Sequence, residues 1–374
     1  MISNRYENLA KEILSLAGIT LNGSNPWDIQ VHNRNFYKCA VTEAELGIGE
    51  SYMDGWWDCD KLDEMIYRII KVRLDEKVKR KPLILFKLLL AKIFNLQSPK
   101  RAFIIGERHY DLGNDLFRYM LDKRMNYSCA YWKNANSLDE AQKDKLELIC
   151  KKLYLQPGMR VLDIGCGWSA FGKYAAEKYN VKTVGITVSK EQVELGKELC
   201  KGLPVEIRLQ DYREVKEKFD RIVSVGMIEH VGYKNYRTYF DVAHRCLTEE
   251  GLFLLHTIGE VKSVKSSDAW TNKYIFPNSM LPSIAQLSKA VEGLFVIEDL
   301  HNFGADYDKT LMAWHKNFKE SWSKLKDKYS ERFYRMWKYF LLSSAGAFRA
   351  RTKNQLWQIV LSKSGLPGGY CAVR

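Results

Sequence analysis

The chain has 374 residues, of which 46% are hydrophobic and 13% aromatic, and it carries a formal net charge of +13. These values predict a globular protein of about two domains with a large core, and they exclude an intrinsically disordered chain. The eight cysteines form no Cys-x-x-Cys pair, which argues against a zinc site or a disulfide framework. We therefore predict a protein of the reducing cytosol without a metal site.

Residues 1–75 predict a small, mainly helical N-terminal domain. Apolar residues recur at helical spacing in Tyr6–Ala17 and again in Lys61–Val72. Between them, Leu46–Trp57 holds a glycine-spaced acidic turn followed by two adjacent tryptophans. We interpret this stretch as an aromatic corner of the domain, because tryptophan mostly serves packing. The first residues mix charged with apolar side chains, so we expect no secretory signal.

Residues 76–105 predict a basic, apolar linker. The stretch from Arg68 to Arg101 holds eleven basic residues against two acidic ones, and the linker contains the apolar runs Leu83–Phe86 and Leu88–Leu90. Basic residues beside strongly apolar ones favour a membrane surface or a partner groove over nucleic acid. The longest apolar stretch is too short to cross a bilayer. We expect a cytoplasmic protein bound peripherally to the inner face of the membrane, with no nucleic-acid partner.

Residues 106–374 predict an α/β domain in which strands alternate with helices. The first five strands are expected at Arg160–Ile164, Lys182–Ile186, Val205–Leu209, Arg221–Val225 and Leu252–His256. Such alternation predicts a parallel sheet with helices on both faces. A sixth strand at Leu294–Asp299, helices over 306–350 and a last strand at Gln355–Ser362 complete the plan of a class I S-adenosylmethionine-dependent methyltransferase, a Rossmann-like fold. The insertion at 259–283 is expected to cap the strand ends, where ligands of open α/β sheets bind.

The turn after the first of these strands is a candidate ligand site. It reads Asp163-Ile164-Gly165-Cys166-Gly167 and leads from a strand into a helix. Its glycines would let a nucleotide-like ligand approach the backbone closely. The third glycine of a dinucleotide fingerprint is absent, which disfavours a dehydrogenase. On this motif alone, a tight turn that binds no ligand remains an alternative.

Four strands of the predicted sheet end in polar or glycine-bearing residues, and we predict an S-adenosylmethionine site at that edge. Asp163 would orient the amino-acid end of the cofactor, Thr187 and Gln192 would hold the ribose hydroxyls, and Asp211 would accept a hydrogen bond from the adenine amine. The full set of contacts predicted in these loops is Asp163, Gly165, Gly167, Thr187, Gln192, Gln210, Asp211 and Tyr212.

A second polar set, expected to face the cap, consists of Cys129, Glu229, His256 and Tyr307. These residue types fit a metal site, a cysteine nucleophile or a pocket for a small oxyanion. Their spacing matches no zinc pattern. The nucleophile and the oxyanion pocket both stay open at this point.

Several motifs together resemble the cyclopropane-fatty-acyl-phospholipid synthases, the bacterial phospholipid branch of the cyclopropane and mycolic acid synthase family. The motifs are His109–Phe117, Tyr127–Trp132, Val161–Trp168, Met227–Gly232, His256–Gly259, Tyr274–Pro277 and Asn302–Tyr307, with Leu46–Trp57 near the N-terminus. The resemblance thus covers nearly the whole chain. It implies transfer of a methylene group from S-adenosylmethionine across the cis double bond of unsaturated acyl chains in membrane phospholipids. It also implies a homodimer.

The resemblance further implies a bicarbonate ion in the active site. The residues that correspond to its ligands are Cys129, Glu229, His256, Ile258 and Tyr307, with Cys129 and Ile258 contributing largely backbone N–H groups. Tyr127 and Ser128 match cofactor-contacting positions of the family.

The chemistry of the implied reaction is consistent with these positions. An alkene is a weak nucleophile, so the sulfonium methyl must be pressed against it in a dry pocket. The attack leaves a carbocation, which aromatic faces stabilise, and a base must then remove a methyl proton. A bicarbonate oriented by Glu229, His256 and Tyr307 would be that base. The aromatic residues expected near the cation are Tyr274, Phe276, Phe303 and Tyr307.

Two positions depart from the family pattern. Ser169 and Ala170 follow Trp168 where further glycines are common, and because both are small we expect cofactor binding to survive. Ser344 stands where some relatives carry a cysteine, which removes a thiolate nucleophile there. The alternatives are a lipid or small-molecule methyltransferase that closes no ring, and a non-catalytic lipid- or nucleic-acid-binding module. The linker argues against a small-molecule substrate, and the complete second polar set argues against an inactive scaffold.

Overall fold

Residues 2–79 and 113–374 are described by the structure, a computed structural model of the chain. The predicted linker falls largely on residues 80–112 and so lies outside the described residues, as does the start of the His109–Phe117 motif. None of the described helices is long and apolar enough to cross a bilayer.

The chain divides into two compact units that are both assembled from separate stretches. Unit 1 consists of Met1–Leu116, in its described part, with Ser267–Pro277 and Leu311–Lys353; unit 2 consists of Phe117–Ser266, Asn278–Thr310 and Asn354–Arg374. Unit 1 thus takes two stretches from the second half of the chain. The linear division into 1–75, 76–105 and 106–374 remains a prediction.

Unit 1 is mainly helical. Its helices are Ile2–Ser15, Asn35–Thr42, Ala44–Met53, Leu62–Lys71, Leu74–Lys79, Ala269–Tyr274 and Glu331–Ala350. A two-stranded antiparallel ribbon pairs β1 (Gln30–Val31) with β2 (Trp57–Asp58). Two further helices, Asn114–Met120 and Asp306–Leu325, contribute residues to both units.

The aromatic corner of unit 1 is a packing feature, in agreement with the interpretation from sequence. Trp57 is fully buried, and its ring centroid lies 4.9 Å from that of Tyr52. The prediction of a turn at Gly47 and Gly49 is wrong, because both residues lie in the helix Ala44–Met53. Gly49 is required there, since a Cβ at this position would lie 2.3 Å from the Trp270 ring.

Unit 2 contains a seven-stranded sheet in the order β5-β4-β3-β6-β7-β9-β8. The strands are β3 (Arg160–Ile164), β4 (Lys182–Thr187), β5 (Val205–Leu209), β6 (Phe219–Val225), β7 (Leu247–Glu260), β8 (Val296–Asn302) and β9 (Asn354–Ser362). The first five strands in this order run parallel. β9 runs antiparallel to both of its neighbours, β7 and β8, so β8 has the same direction as the first five. This topology confirms the predicted Rossmann-like class I fold.

Helices pack on both faces of this sheet. They are Leu138–Lys152, Ala170–Tyr179, Lys190–Leu199, Tyr236–Cys246 and Ile284–Val291. Successive residues of β3 enter different cores: Leu162 lies in one apolar cluster with Phe253, and Val161 lies in the other with Phe171. This alternation is what a strand buried on both faces requires.

Local sequence explains where these elements begin. Ser137 caps the helix Leu138–Lys152 by accepting a hydrogen bond from the Glu140 N–H at 3.3 Å, and Ser189 caps the helix Lys190–Leu199 in the same manner through Gln192. The longest departure from the predicted bounds is β7, which begins five residues before and ends four residues after the expected Leu252–His256. Its final residues enter the region expected to be an irregular insertion.

Candidate active site

The glycine turn after β3 has a left-handed backbone that favours glycine. Gly165 and Gly167 have φ angles of 82° and 55°. The N–H groups of Gly165 and Cys166 both donate to the Ile186 carbonyl at 3.0 Å, which fastens the turn to β4. A Cβ on Gly165 would lie 2.7 Å from Cγ of Met227, whereas one on Gly167 would meet nothing within 4 Å. The turn is therefore tight on its Gly165 side and open at Gly167, where a ligand can approach.

Asp163, just before this turn, is a buried acidic group. Its exposed fraction is 3%, and burial raises the pKa of its carboxyl to about 7, while the nearby Lys145 ammonium opposes that rise. Asp163 and Lys145 thus place an acidic and a basic group in the same buried region of unit 2.

The segment that carries Tyr127 and Ser128 is held by the helix Leu138–Lys152. Lys145 Nζ donates to Ser128 Oγ at 2.8 Å and to Asn126 Oδ1 at 2.9 Å. Gln142 Nε2 donates to the Ser128 carbonyl at 2.8 Å. The segment is therefore fixed through both its side chains and its backbone.

The loops after β4 and β5 bring some of the predicted cofactor contacts together. Thr187 Oγ1 donates to Gln192 Oε1 at 2.7 Å, and the Gln210 N–H donates to the Thr187 carbonyl at 3.0 Å. The Asp211 carboxylate accepts from the Arg213 guanidinium at 2.7 and 2.8 Å, and this pairing lowers its pKa. Asp211 is thus already held by an ion pair at its own loop.

The side chain of Tyr212 takes part in the packing of the apolar core. Its ring is buried and packs at 5.4 Å from Tyr239 in the apolar core.

Glu229 occupies a short 3₁₀ turn, Ile228–His230, that follows β6. Its Oε1 accepts a hydrogen bond from the Ile258 N–H at 2.8 Å. Burial raises the pKa of the carboxyl to about 7, while hydrogen bonds from Ile258 and Thr257 oppose the rise. Glu229 and Ile258, predicted to belong to one site, are therefore in direct contact.

His256 lies on β7, with an exposed fraction of 1%. Gln358 Nε2 lies 3.3 Å from Nδ1 of His256, and burial holds the pKa of the imidazole well below its ordinary value, so the ring is neutral. With the glutamine amide donating to Nδ1, the single imidazole proton belongs on Nε2. The ring centroid of Phe303 lies 5.8 Å away.

Oε1 of Gln358 is buried without a hydrogen-bond partner among the described residues, and so are two atoms of ionisable groups, Oε2 of Glu229 and Nε2 of His256. Buried polar atoms are normally paired, so these two are positioned for a missing ligand. A carboxylate oxygen accepts and the imidazole N–H donates, and bicarbonate offers one O–H and several acceptor oxygens. These two atoms therefore fit the predicted bicarbonate, whereas the Ile258 N–H, expected as a further contact to the ion, donates to Glu229 in this structure.

Thr310 links the residue after Cys129 to the residue before Tyr307. The Thr310 hydroxyl accepts from the Ala130 N–H at 3.1 Å and donates to the Asp306 carbonyl at 2.9 Å. Burial raises the pKa of the Tyr307 hydroxyl well above its ordinary value, and the neighbouring Cys129 and Glu229 groups act in the same direction. Cys129, Glu229 and Tyr307 thus share one neighbourhood.

The thiol of Cys129 has no features of an activated nucleophile. Its residue is fully buried, and burial raises the pKa of the thiol well above its ordinary value. Nucleophilic cysteines need the opposite shift. Of the two alternatives left open by sequence, the structure favours an oxyanion pocket. Among residues 2–79 and 113–374, no group of three or more His, Cys, Asp or Glu side chains is arranged to hold a metal ion.

The four expected aromatic residues separate into two groups. Phe303 and Tyr307 belong to unit 2, where Phe303 packs on His256. Tyr274 and Phe276 belong to unit 1, where the Tyr274 hydroxyl donates to Glu50 at 2.7 Å and the Phe276 ring lies 5.7 Å from Phe340.

Sequence reasoning missed several residues that organise the site. They are Gln142, Lys145, Thr310 and Gln358. A signal existed for Gln142 and Lys145, because they lie three residues apart on the helix face that also carries Ala141 and Leu148. No local signal marks Gln358, whose partner is about a hundred residues away in the chain.

Comparison with known proteins shows what this chain is similar to. The family model for mycolic acid cyclopropane synthetase matches residues 97–359. The cyclopropane-fatty-acyl-phospholipid synthase of Escherichia coli K12 is 54% identical over 371 residues, which cover 99% of this chain and 97% of that protein.

Solved structures agree with this similarity. The cyclopropane synthase MmaA2 from Mycobacterium tuberculosis has a TM-score of 0.64 at 31% identity, covering 68% of this chain and 96% of that one. The mycolic acid cyclopropane synthase CmaA1, complexed with SAH and CTAB, also has a TM-score of 0.64, at 34% identity and the same coverage. The resemblance inferred from the motifs is confirmed: this chain belongs to the mycolic acid cyclopropane synthetase family.

Proposed function

We propose that this chain transfers a methylene group from S-adenosylmethionine across the cis double bond of unsaturated acyl chains in membrane phospholipids and so forms a cyclopropane ring. The observation that carries the proposal is the pair of unpartnered buried atoms on Glu229 and His256, in the same unit as an open glycine turn. The name of the E. coli relative, a cyclopropane-fatty-acyl-phospholipid synthase, supports the same activity.

The methyl donor would be held along the ends of β3, β4 and β5. S-adenosylmethionine supplies an electrophilic methyl group when it is bound. Gly165 and Gly167 leave room for its approach, and Tyr127, Ser128 and Asp163 would hold its amino-acid end. Thr187 and Gln192 would hold the ribose, with Gln210, Asp211 and Tyr212 near the adenine. The Thr187–Gln192 hydrogen bond at 2.7 Å supports a joint role for those two residues.

The chemistry at the alkene needs a base beside a carbocation. Bicarbonate, when bound, supplies the base that removes a proton from the transferred methyl group. Glu229 Oε2 would accept its O–H, and the neutral His256 would donate from Nε2. Ile258 holds the Glu229 carboxylate in place through its N–H. Tyr307 and the backbone of Cys129 complete the proposed ligand set.

The surroundings of this site disfavour side reactions. The described groups around it are buried, so water competes poorly for the cation. Phe303, which packs on His256, offers an aromatic face to positive charge. The Cys129 thiol stays protonated because of burial, so it is not a nucleophile that the cation would alkylate.

We also propose that the enzyme is cytoplasmic, binds the inner face of the membrane peripherally and acts as a homodimer. The substrate is part of the membrane, and the basic, apolar stretch from Arg68 to Arg101 supports electrostatic attachment to anionic lipid. The homodimer rests on the family resemblance, and sedimentation of the full chain would test it.

An assay with S-adenosylmethionine and vesicles of unsaturated phospholipid, with and without bicarbonate, tests the proposed reaction. We expect each modified chain to gain one CH₂ and to lose its double bond without gaining a methyl branch, as read by mass spectrometry and NMR of the lipids. We expect the rate to fall when bicarbonate is removed. A methyl-branched product would instead favour a lipid methyltransferase without ring closure, and turnover that ignores bicarbonate would contradict the assigned base.

A further inference from the structure

Lys145 is a buried lysine at the proposed cofactor site. Its exposed fraction is 1%, whereas lysines are almost never fully buried unless they are paired. Its Nζ donates to Ser128 Oγ at 2.8 Å and to Asn126 Oδ1 at 2.9 Å. One turn of helix earlier, Gln142 holds the Ser128 carbonyl at 2.8 Å. One helix face therefore controls both the backbone and the hydroxyl of Ser128.

While Lys145 is charged, only the lysine can be the donor in its hydrogen bond with Ser128. An ammonium group has three N–H donors and no acceptor. Ser128 Oγ must therefore accept in this bond. Its own O–H is left to donate to another group, and a donor beside a positive charge binds an anionic acceptor best.

The charges around the segment match the amino-acid end of the proposed cofactor, which carries a carboxylate and an ammonium. Lys145 supplies positive charge on the Ser128 side, and the Asp163 carboxyl, which senses the Lys145 charge, supplies hydrogen-bond acceptors before the glycine turn. We propose that Lys145 is a positioning residue that makes the Ser128 hydroxyl a donor to the carboxylate of S-adenosylmethionine. This inference rests on the proposed function, because it concerns the same cofactor site.

The protonation of Lys145 sets the pH range of the effect. Burial lowers the pKa of its ammonium to about 8, and the facing groups Asp122, Cys129 and Asp163 oppose that fall. His256, which also senses the Lys145 charge, is neutral. The lysine is therefore charged at neutral pH. Above about pH 8 it loses its proton and gains a lone pair, so the fixed polarity of the Ser128 hydroxyl is lost.

Binding of two ligands that differ only in the amino-acid end tests this assignment without turnover. Calorimetry would measure the Kd of S-adenosylhomocysteine and of 5′-methylthioadenosine, which lacks that end, for the full wild-type chain and for Lys145→Met. We expect Lys145→Met to weaken S-adenosylhomocysteine about tenfold or more, as the loss of a charge-assisted contact predicts. The Kd of 5′-methylthioadenosine should stay within about twofold.

Lys152→Met is the matched control. Lys152 lies seven residues along the same helix with an exposed fraction of 0%, and its Nζ contacts Asp299 and His301 instead. A purely structural effect of losing a buried lysine should appear in this variant too. We expect its ratio of the two Kd values to remain that of the wild type.

Equal weakening of both ligands by Lys145→Met, or of neither, would overturn the proposal. If Lys145→Met does not fold, Ser128→Ala decides, because it removes the proposed donor and should show the same selective loss. In the wild type, selectivity for S-adenosylhomocysteine should fall above about pH 8. If the proposed function is wrong, the lipid assay should yield no cyclopropane ring. The preference for S-adenosylhomocysteine over 5′-methylthioadenosine can still be found in that case, so the two failures are distinguishable.

Discussion

At the residue scale, Glu229 is expected to be needed for ring formation and to lower the stability of the folded protein. One carboxylate oxygen is anchored by the Ile258 N–H, and the other is buried without a partner among the described residues. We expect Glu229→Gln to lower the rate of ring formation by about 10²–10⁴-fold, the usual range for losing a group that positions a base. The amide oxygen can still accept from Ile258, so the fold should persist. Full turnover of this variant at saturating bicarbonate would show that the site is assigned wrongly.

The same substitution should make the protein more stable. Burial raises the folded-state pKa of Glu229 to about 7 from an ordinary 4.5, so the folded state binds more protons than the unfolded state between these values. The free energy of unfolding therefore falls as pH rises from 4.5 to 7. Above pH 7 the full cost of burying the ionised carboxylate is present. We expect the free energy of unfolding of Glu229→Gln to exceed that of the wild type by on the order of 3 kcal/mol above pH 7. Near pH 4.5 the two values should differ little. Urea unfolding at both pH values measures the difference.

Glu206→Gln is the control for this stability prediction. Glu206 is exposed and paired with Arg208 at 2.7 Å, a contact that lowers its pKa. Its contribution has the opposite sign: it is present above the ordinary pKa and lost as pH falls. The free energy of unfolding of this variant should therefore not rise above that of the wild type at high pH. A rise equal to that of Glu229→Gln would indicate a general effect of removing a negative charge.

At the element scale, the helix Ala170–Tyr179 begins on a strained residue. Ser169 has a φ angle of 63°, in the left-handed region that disfavours residues with a Cβ. The family resemblance implies a glycine at this position, and the serine found there has a local energetic cost. We expect Ser169→Gly to raise the free energy of unfolding by about 1 kcal/mol and the melting temperature by a few degrees.

Asn180, at the other end of the same helix, provides the comparison. Its φ angle is 52°, but asparagine tolerates this region better than serine. Asn180→Gly should therefore change the melting temperature less than Ser169→Gly. The reverse order, measured by differential scanning calorimetry, would contradict the strain explanation.

The elements that sequence predicts best are those determined by local patterns. β3 and β5 have the expected bounds because apolar, β-branched runs follow clear turn residues such as Pro157-Gly158. The helix Ala44–Met53 was missed because Gly47 and Gly49 lower helix propensity, and the reason for Gly49 is its contact with Trp270, over two hundred residues later. Lys145 was missed as a site residue because a lysine in a helix normally indicates a solvated face. Non-local contacts decide such positions.

At the scale of the whole molecule, the charge of the chain predicts its behaviour at a lipid surface. We expect binding to anionic phospholipid vesicles that weakens markedly when salt is raised from about 0.1 M to about 0.5 M, because screening shortens the range of the attraction. Vesicle co-sedimentation measures this. Binding unchanged by salt would remove the electrostatic contribution.

A charge-matched pair of variants would locate that contribution. One variant replaces Lys77, Lys79, Arg80 and Lys81 by Gln, and the other replaces the exposed Lys316, Lys319, Lys324 and Lys326. Both lose the same net charge. If the stretch from Arg68 to Arg101 mediates attachment, the first variant should bind vesicles more weakly than the second.

The position of β9 has a consequence for the order in which the enzyme becomes active during synthesis. β9 follows β8 in the sequence, yet it lies between β7 and β8 in the sheet. Until residues 354–362 leave the ribosome, β8 lacks its only described neighbour and His256 lacks Gln358. A nascent chain can therefore complete the cofactor turn long before it completes the base site. The residues proposed to hold the base are therefore assembled only after β9 has been made and has joined the sheet.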